Sequence, residues 1–277
     1  MKNVYLSMLL ILLIASCSKD KIVSNGEEKQ VARIANVDEF AVFGVVHNMG
    51  LDFMANKNSN LHLLSQTERY SLSRTFTYDN WMQSSLFTAN EMIDTINYIN
   101  ELYVNSNNVA HELVVNGILA PEVESYFNRI NIVFEDVLSL SQQGIILSPS
   151  EVNLRIEVIE SDILLNNIQY DTSTTEGDWF ACMMATTSVA KASYLYWYNA
   201  ATNTNSSWNF IVSGYGEKLP IPKWLKKVVD VVKTDVSVGV IAYDIHRDAG
   251  QSGVGSLGRS IGDGFSGSAT VAKPSSK

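Results

Sequence analysis

Cysteine is almost missing from this chain: two residues in 277, at positions 17 and 182. Two thiols cannot build the cross-linked framework of a small secreted scaffold, so the fold must rest on a buried core. The 46% of hydrophobic residues is ordinary for such a core. Basic residues are also short, 20 Lys and Arg against 29 Asp and Glu, for a net charge of −9. An acidic balance argues against nucleic acid, whose phosphates need a basic surface, and keeps a protein soluble beside an anionic membrane. The four histidines (47, 62, 111 and 246) lie far apart. None has a second ligand at metal-binding spacing, and none sits beside a nucleophile motif. Alternating apolar runs do not recur often enough for a sheet, so the expected class is all-α, an irregular helical bundle. Past the first residues no apolar run is long enough to cross a bilayer, Val236 to Tyr243 included.

What the chain does have begins at its first residue. Lys2 gives a positive start, Val4 to Ile14 form an apolar run, and Ile14-Ala15-Ser16-Cys17 closes it. A positive segment, an apolar core of about 7–15 residues and small residues at a cut site make a secretory signal. With the cysteine directly after Ala-Ser, the site resembles the bacterial lipoprotein box, Ile14 replacing the usual leucine. The resemblance implies cleavage before Cys17, diacylglycerol on its sulfur and a third acyl chain on the new amino terminus. Ser18 in place of an aspartate implies the outer membrane. Cleavage would remove Lys2 with residues 1–16, leaving 261 residues, 19 basic against 29 acidic side chains and a net charge of −10. With Cys17 lipidated, Cys182 alone remains and no disulfide can form within the chain. Set among Trp179, Phe180, Met183 and Met184, it is expected to be a buried, inert thiol.

Residues 17–35 are polar and charged and read as a tether. From 36 to 248 the periodicity is helical. Met82, Leu86, Ala89, Ile93, Ile96 and Tyr103 share one stripe, with Asp79 as the expected N-cap. After Pro121, the residues Val123, Phe127, Ile130, Phe134 and Val137 form another stripe, which Gly144 ends. Ser148-Pro149-Ser150-Glu151 has capping-box spacing and opens a helix with Val152, Ile156, Ile159 and Ile163 inward. Residues 178–200 mix small and aromatic side chains and predict a helix packed on most sides. Residues 201–220 predict a loop with one short extended piece. From Pro222 a helix should turn Leu225, Val228, Val232 and Val236 inward, and Lys223, Lys226, Lys227, Asp230 and Lys233 outward. That lysine-rich helix with Trp224 reads either as a foot on anionic headgroups or as an ordinary solvated face.

Residues 249–277 change character, with seven Gly and seven Ser in the last 28 positions. A stretch with so few large apolar side chains is expected to remain a flexible tail. Gly253-Val254-Gly255-Ser256-Leu257-Gly258 matches the dinucleotide fingerprint in letters, but no strand precedes it and its acidic partner is missing. Gly258 and Gly262 have the spacing of membrane-helix contacts, interrupted by Arg259 and Asp263. His111-Glu112 begins like a zinc-protease helix, yet Val115 stands where the second histidine belongs.

The most individual stretch is His47-Asn48-Met49-Gly50-Leu51-Asp52. It is similar to an HN-x-x-LD segment of uncharacterised exported bacterial proteins, often lipoproteins, which implies export and no particular activity. On a helix His47 and Asp52 stand about 140° apart and cannot pair, whereas Asn48 and Asp52 share a face. His47, Asn48 and Asp52 are the candidate polar cluster, either binding or structural. The structural form would fasten the helix to a neighbour through buried hydrogen bonds.

No catalytic residue, metal ligand or cofactor follows from the sequence. The expectation is a lipid-anchored envelope protein, attached to the membrane through Cys17, that binds or helps assemble another envelope protein. Two other classes stay open. One is an envelope hydrolase with His47 and Asn48 in an open pocket beside a carboxylate from another helix. The other is a secreted antagonist with a membrane-active glycine-rich tail.

Overall fold

The computed structural model describes residues 37–81, 87–166, 175–212, 221–249 and 254–271. The signal segment 1–16, Cys17 and the tether 17–35 lie outside the described residues, as do Met82 and Leu86 of one expected stripe. Among the described residues there are ten α-helices and no strand, so the protein is an all-α bundle. In chain order they are α1 (Val37–Lys57), α2 (Gln66–Trp81), α3 (Ala89–Asn105), α4 (Val109–Val115) and α5 (Glu124–Gln142). They continue with α6 (Pro149–Asn166), α7 (Thr175–Thr202), α8 (Asn209–Val212), α9 (Ile221–Asp248) and α10 (Val254–Val271).

The peripheral helices follow their sequence pattern because each has one wet and one dry face. Every expected core residue of α5 and α6 is buried, from Phe127, Ile130, Phe134 and Val137 to Val152, Ile156, Ile159 and Ile163. The Ser148 and Glu151 box is formed: the Ser148 amide and hydroxyl both donate to the Glu151 carboxylate at 2.7 Å. Gly144, at φ +81°, ends α5 in the left-handed region that favours glycine.

Asp79 does not cap a helix. The helix it was expected to open is already running there, since α2 continues to Trp81. Thr88 caps α3 instead, exchanging bonds with Glu91 in a reciprocal box, and the buried seam turns to Met92, Ile96 and Ile99. The expected extended piece near 210 is the single helical turn α8. It is fixed by Trp208, whose indole N–H donates to the Leu51 carbonyl at 3.2 Å.

The larger correction concerns the C-terminus. The glycine- and serine-rich stretch expected to be a flexible tail contains α10, and every residue from Ser260 to Thr270 is buried. Leu257, Ile261, Phe265 and Ala269, four apart, make its apolar stripe. The hydroxyls need no solvent because they bond to carbonyls of their own helix: Ser266 to Gly262 at 2.7 Å, Ser268 to Phe265 at 3.1 Å, Thr270 to Ser266 at 2.9 Å. Small residues let the neighbours close in. A Cβ on Gly264 would stand 3.2 Å from the Asp235 carbonyl of α9, and one on Gly267 2.9 Å from Val238. Composition that looked solvated is a close-packing surface, and α10 belongs to the same core as the other helices.

The centre is thus α7, α9 and α10, with α1 and α2 on one side and α5 and α6 on another. Helices α9 and α10 form an antiparallel pair, and α2 runs antiparallel to α10. Helix α1 lies parallel to α7 at a constant offset of 144 positions: Gly44 meets Ser188, Asn48 meets Ala192, and Asp52 meets Tyr196.

Candidate functional site

Two glycine contacts bring α1 close enough for short polar side chains to reach its neighbours. A Cβ on Gly44 would fall 2.5 Å from the Ser188 carbonyl, and one on Gly50 would fall 2.8 Å from the Phe265 ring. The Gly44 amide donates to Ser188 Oγ at 3.0 Å. One turn on, Asn48 Nδ2 donates to the Ala192 carbonyl at 3.1 Å. A further turn places Asp52 Oδ1 where it accepts from the Tyr196 hydroxyl at 3.0 Å. Asn48 and Asp52 do share the face that the helical spacing gives them, and it is the face on α7.

His47 points elsewhere, to α9. Its ring is fully buried, with Nε2 3.1 Å from Asp235 Oδ2 and Nδ1 2.9 Å from Asn48 Oδ1. Because Asn48 uses its NH₂ on Ala192, its oxygen faces the ring, so Nδ1 carries a hydrogen. Ser193 Oγ donates to Asp235 Oδ2 at 2.6 Å and the Trp197 indole N–H at 3.2 Å. His47 Nε2 lies within ion-pair distance of that same oxygen but off the line of a straight hydrogen bond, while Asp235 Oδ1 takes no hydrogen bond among the described residues.

A second pair lies further along α9. His246 Nε2 stands 3.1 Å from Asp263 Oδ2 of α10, both buried, and Arg74 of α2 approaches the other oxygen at 3.6 Å. Beyond it, Arg69 closes the end of α10. The fully buried guanidinium donates to the Ala269 carbonyl at 2.7 Å and to the Leu64 carbonyl at 2.6 Å, and burial brings it down to about 10. Gln66 donates to the Thr270 carbonyl at 2.8 Å. A cation at a helix C-terminus meets the negative end of its dipole, so α2 both caps and anchors α10.

Of the candidate cluster, sequence reasoning found His47, Asn48 and Asp52 but missed Asp235, Ser193, Trp197, His246, Asp263 and Arg69. One signal existed: Asp235 is a charge in line with Val228, Val231, Val238 and Ala242, and such a residue is rarely buried unless paired. Lys233 departs from the expected outward set in the same way. It is buried, with Nζ 4.7 Å from the Tyr103 ring centre and 3.7 Å from Glu135, and burial pushes its ammonium below the usual lysine range.

Chemically the cluster is closed. Ser193 donates to Asp235 and not to a histidine, so no hydroxyl–imidazole relay forms. The expectation of an open pocket at His47 is not met, since neither His47 nor Asp235 has a solvent-exposed side chain. A cavity of about 20 Å³ that Asp235 itself lines, with Cys182, Thr186, Gly239, Tyr243 and Ile261 among others, has room for one water molecule and not for a substrate. Among the described residues no group of three His, Cys, Asp or Glu could hold a metal ion, and no helix is long and apolar enough to cross a membrane. No protein-family model, curated protein or solved structure matches the chain.

Burial pushes the Cys182 thiol and the Tyr103, Tyr194 and Tyr196 hydroxyls upward; the Asp52 carboxylate adds to the effect on Tyr196. These groups stay protonated in the fold at a pH where the unfolded chain releases their protons. The folded state then binds more protons, and stability falls as pH rises above the ordinary thiol and phenol values, about 9 to 10. Tyr98 is raised in the same way; Lys233, Arg69 and Arg259, shifted down, work in the opposite sense, but they are three groups against five. The melting temperature should therefore drop steadily between pH 9 and pH 11, with tyrosinate absorbance at 295 nm appearing in the same step as unfolding. Tyrosinate forming well before helix loss would contradict it.

Proposed function

We propose that this chain is a non-enzymatic, lipid-anchored protein of a bacterial envelope, outer membrane by its Ser18, whose helical domain binds or assembles with another envelope component. The observation that carries the reading is Cys17, placed directly after Ile14-Ala15-Ser16 at the end of an apolar run. Attachment in this reading rests on acyl chains. One chain holds only marginally, at about 0.8 kcal/mol per buried CH₂, whereas two or three hold firmly. The closed His47–Asp235 cluster supports a structural rather than a catalytic use of the most distinctive residues.

The test is the state of the sulfur. Cells expressing the chain with an alkyne palmitate analogue should yield a labelled protein in the membrane fraction, with acylated Cys17 as its first residue by mass spectrometry. Cys17→Ser should remove the label and the membrane association together. A native protein starting at Met1, or at Cys17 without acyl mass, would end the proposal.

A further inference from the structure

At Gly44, Gly50, Gly264 and Gly267 the close approach of a neighbouring helix calls for glycine. Gly239, in the middle of α9, is different. A Cβ there would meet nothing closer than the Ser260 carbonyl at 4.0 Å. Its φ is not in the left-handed region either, so neither sterics nor backbone conformation excludes alanine, the better helix former. What a missing side chain at 239 leaves is space. Gly239 lines the cavity of about 20 Å³ between α7, α9 and α10.

Asp235, one turn before Gly239 and fully buried, borders the same cavity. Its Oδ2 accepts from Ser193 and Trp197 and lies 3.1 Å from His47 Nε2. Its Oδ1 takes no hydrogen bond among the described residues. A buried carboxylate oxygen left without a donor costs free energy, so a donor that fits the adjoining space is held there. Water fits: it needs about 10–15 Å³ of such volume and about two to four polar partners. Thr186 and Ser260 line the cavity together with Asp235. The Thr186 hydroxyl donates to the Cys182 carbonyl at 2.7 Å and keeps lone pairs that can accept from a water. Anything larger is too big, and the aliphatic part of the wall, Val236 and Ile261 included, gives a bare cation no oxygen ligands. We infer that this cavity binds one internal water molecule, which donates to Asp235 Oδ1 and completes the buried cluster of Asp235 with His47, Ser193 and Trp197. Glycine at position 239 leaves the room for it.

The test is a crystal structure of the chain carrying Cys17→Ser, at a resolution that shows ordered water. One oxygen in the cavity, about 2.5–3.0 Å from Asp235 Oδ1, is the expected result. Melting temperatures of two variants give an independent reading. Gly239→Ala puts a methyl where the water sits and supplies no donor. It should melt about 2–4 °C below wild type, against its helix propensity. Gly239→Ser carries a hydroxyl into the same space, one turn from Asp235, and should melt above Gly239→Ala although serine is the poorer helix former. A cavity without water in the crystal, or a water that leaves Oδ1 unbonded, would overturn the inference. So would Gly239→Ala melting at or above either wild type or Gly239→Ser. Should either variant fail to fold, the density in the parent crystal decides alone.

Discussion

Deleting residues 254–271 should unfold the domain, not trim it. The truncated chain is expected to lose its cooperative thermal transition and to be degraded rapidly by protease, because the stripe of Leu257, Ile261, Phe265 and Ala269 fills the space between α2 and α9. A milder form isolates the cause. Phe265 is fully buried, edge-on to Phe76 at 5.4 Å and against Gly50, and Phe265→Ala should cost about 3–5 kcal/mol in urea unfolding. A solvated tail would give less than about 0.5 kcal/mol for the same change. The deletion also cannot serve as a probe of a membrane-active tail, since any loss of effect on target cells would report the loss of the fold.

Asp235→Ala should destabilise the protein by about 3–5 kcal/mol, the range for breaking a buried ion pair from one side. Two donors lose their acceptor at once, the Ser193 hydroxyl and the Trp197 indole, and the buried His47 ring loses the carboxylate 3.1 Å from its Nε2. Replacing both members, His47→Leu with Asp235→Leu, should cost less than the two single changes added together, because no charge is then left alone in the core. Urea denaturation of the four proteins gives the cycle directly. Additive costs would mean that His47 and Asp235 act independently and that the pair is a coincidence of distance.

The parts of this fold legible in the sequence are those with a wet side. Val152, Ile156, Ile159 and Ile163 announce α6 because solvent on one face forces a period, and Ser148 with Glu151 announces where it starts. Helix α7 is enclosed, so its sequence lacks that contrast, and α9 shows it only over its first turns, where Lys223 and Lys226 meet solvent and Leu225 and Val228 do not. In α10 the signal is also masked by glycine and serine, residues that normally mark loops but here permit close approach. His47 and Asn48 could be singled out as unusual on an apolar helix. Their partner could not, because Asp235 lies nearly the whole domain away in sequence and only folding brings the two together.

The parallel register of α1 and α7 fixes which end of the molecule is which. The described chain begins at Val37, beside the start of α7 and the end of α9, whereas Trp224 packs on Tyr198 at the opposite end with the exposed Lys223 beside it. The 21 residues of α1 separate these ends by about 31 Å. On the proposed anchor at Cys17, the intervening leash of 19 residues reaches about 63–68 Å when extended, some twice that height. On that anchor, a segment shortened below the height of the bundle would bring the Val37 end to the headgroups and keep a foot made of Lys223 and Trp224 off the lipid.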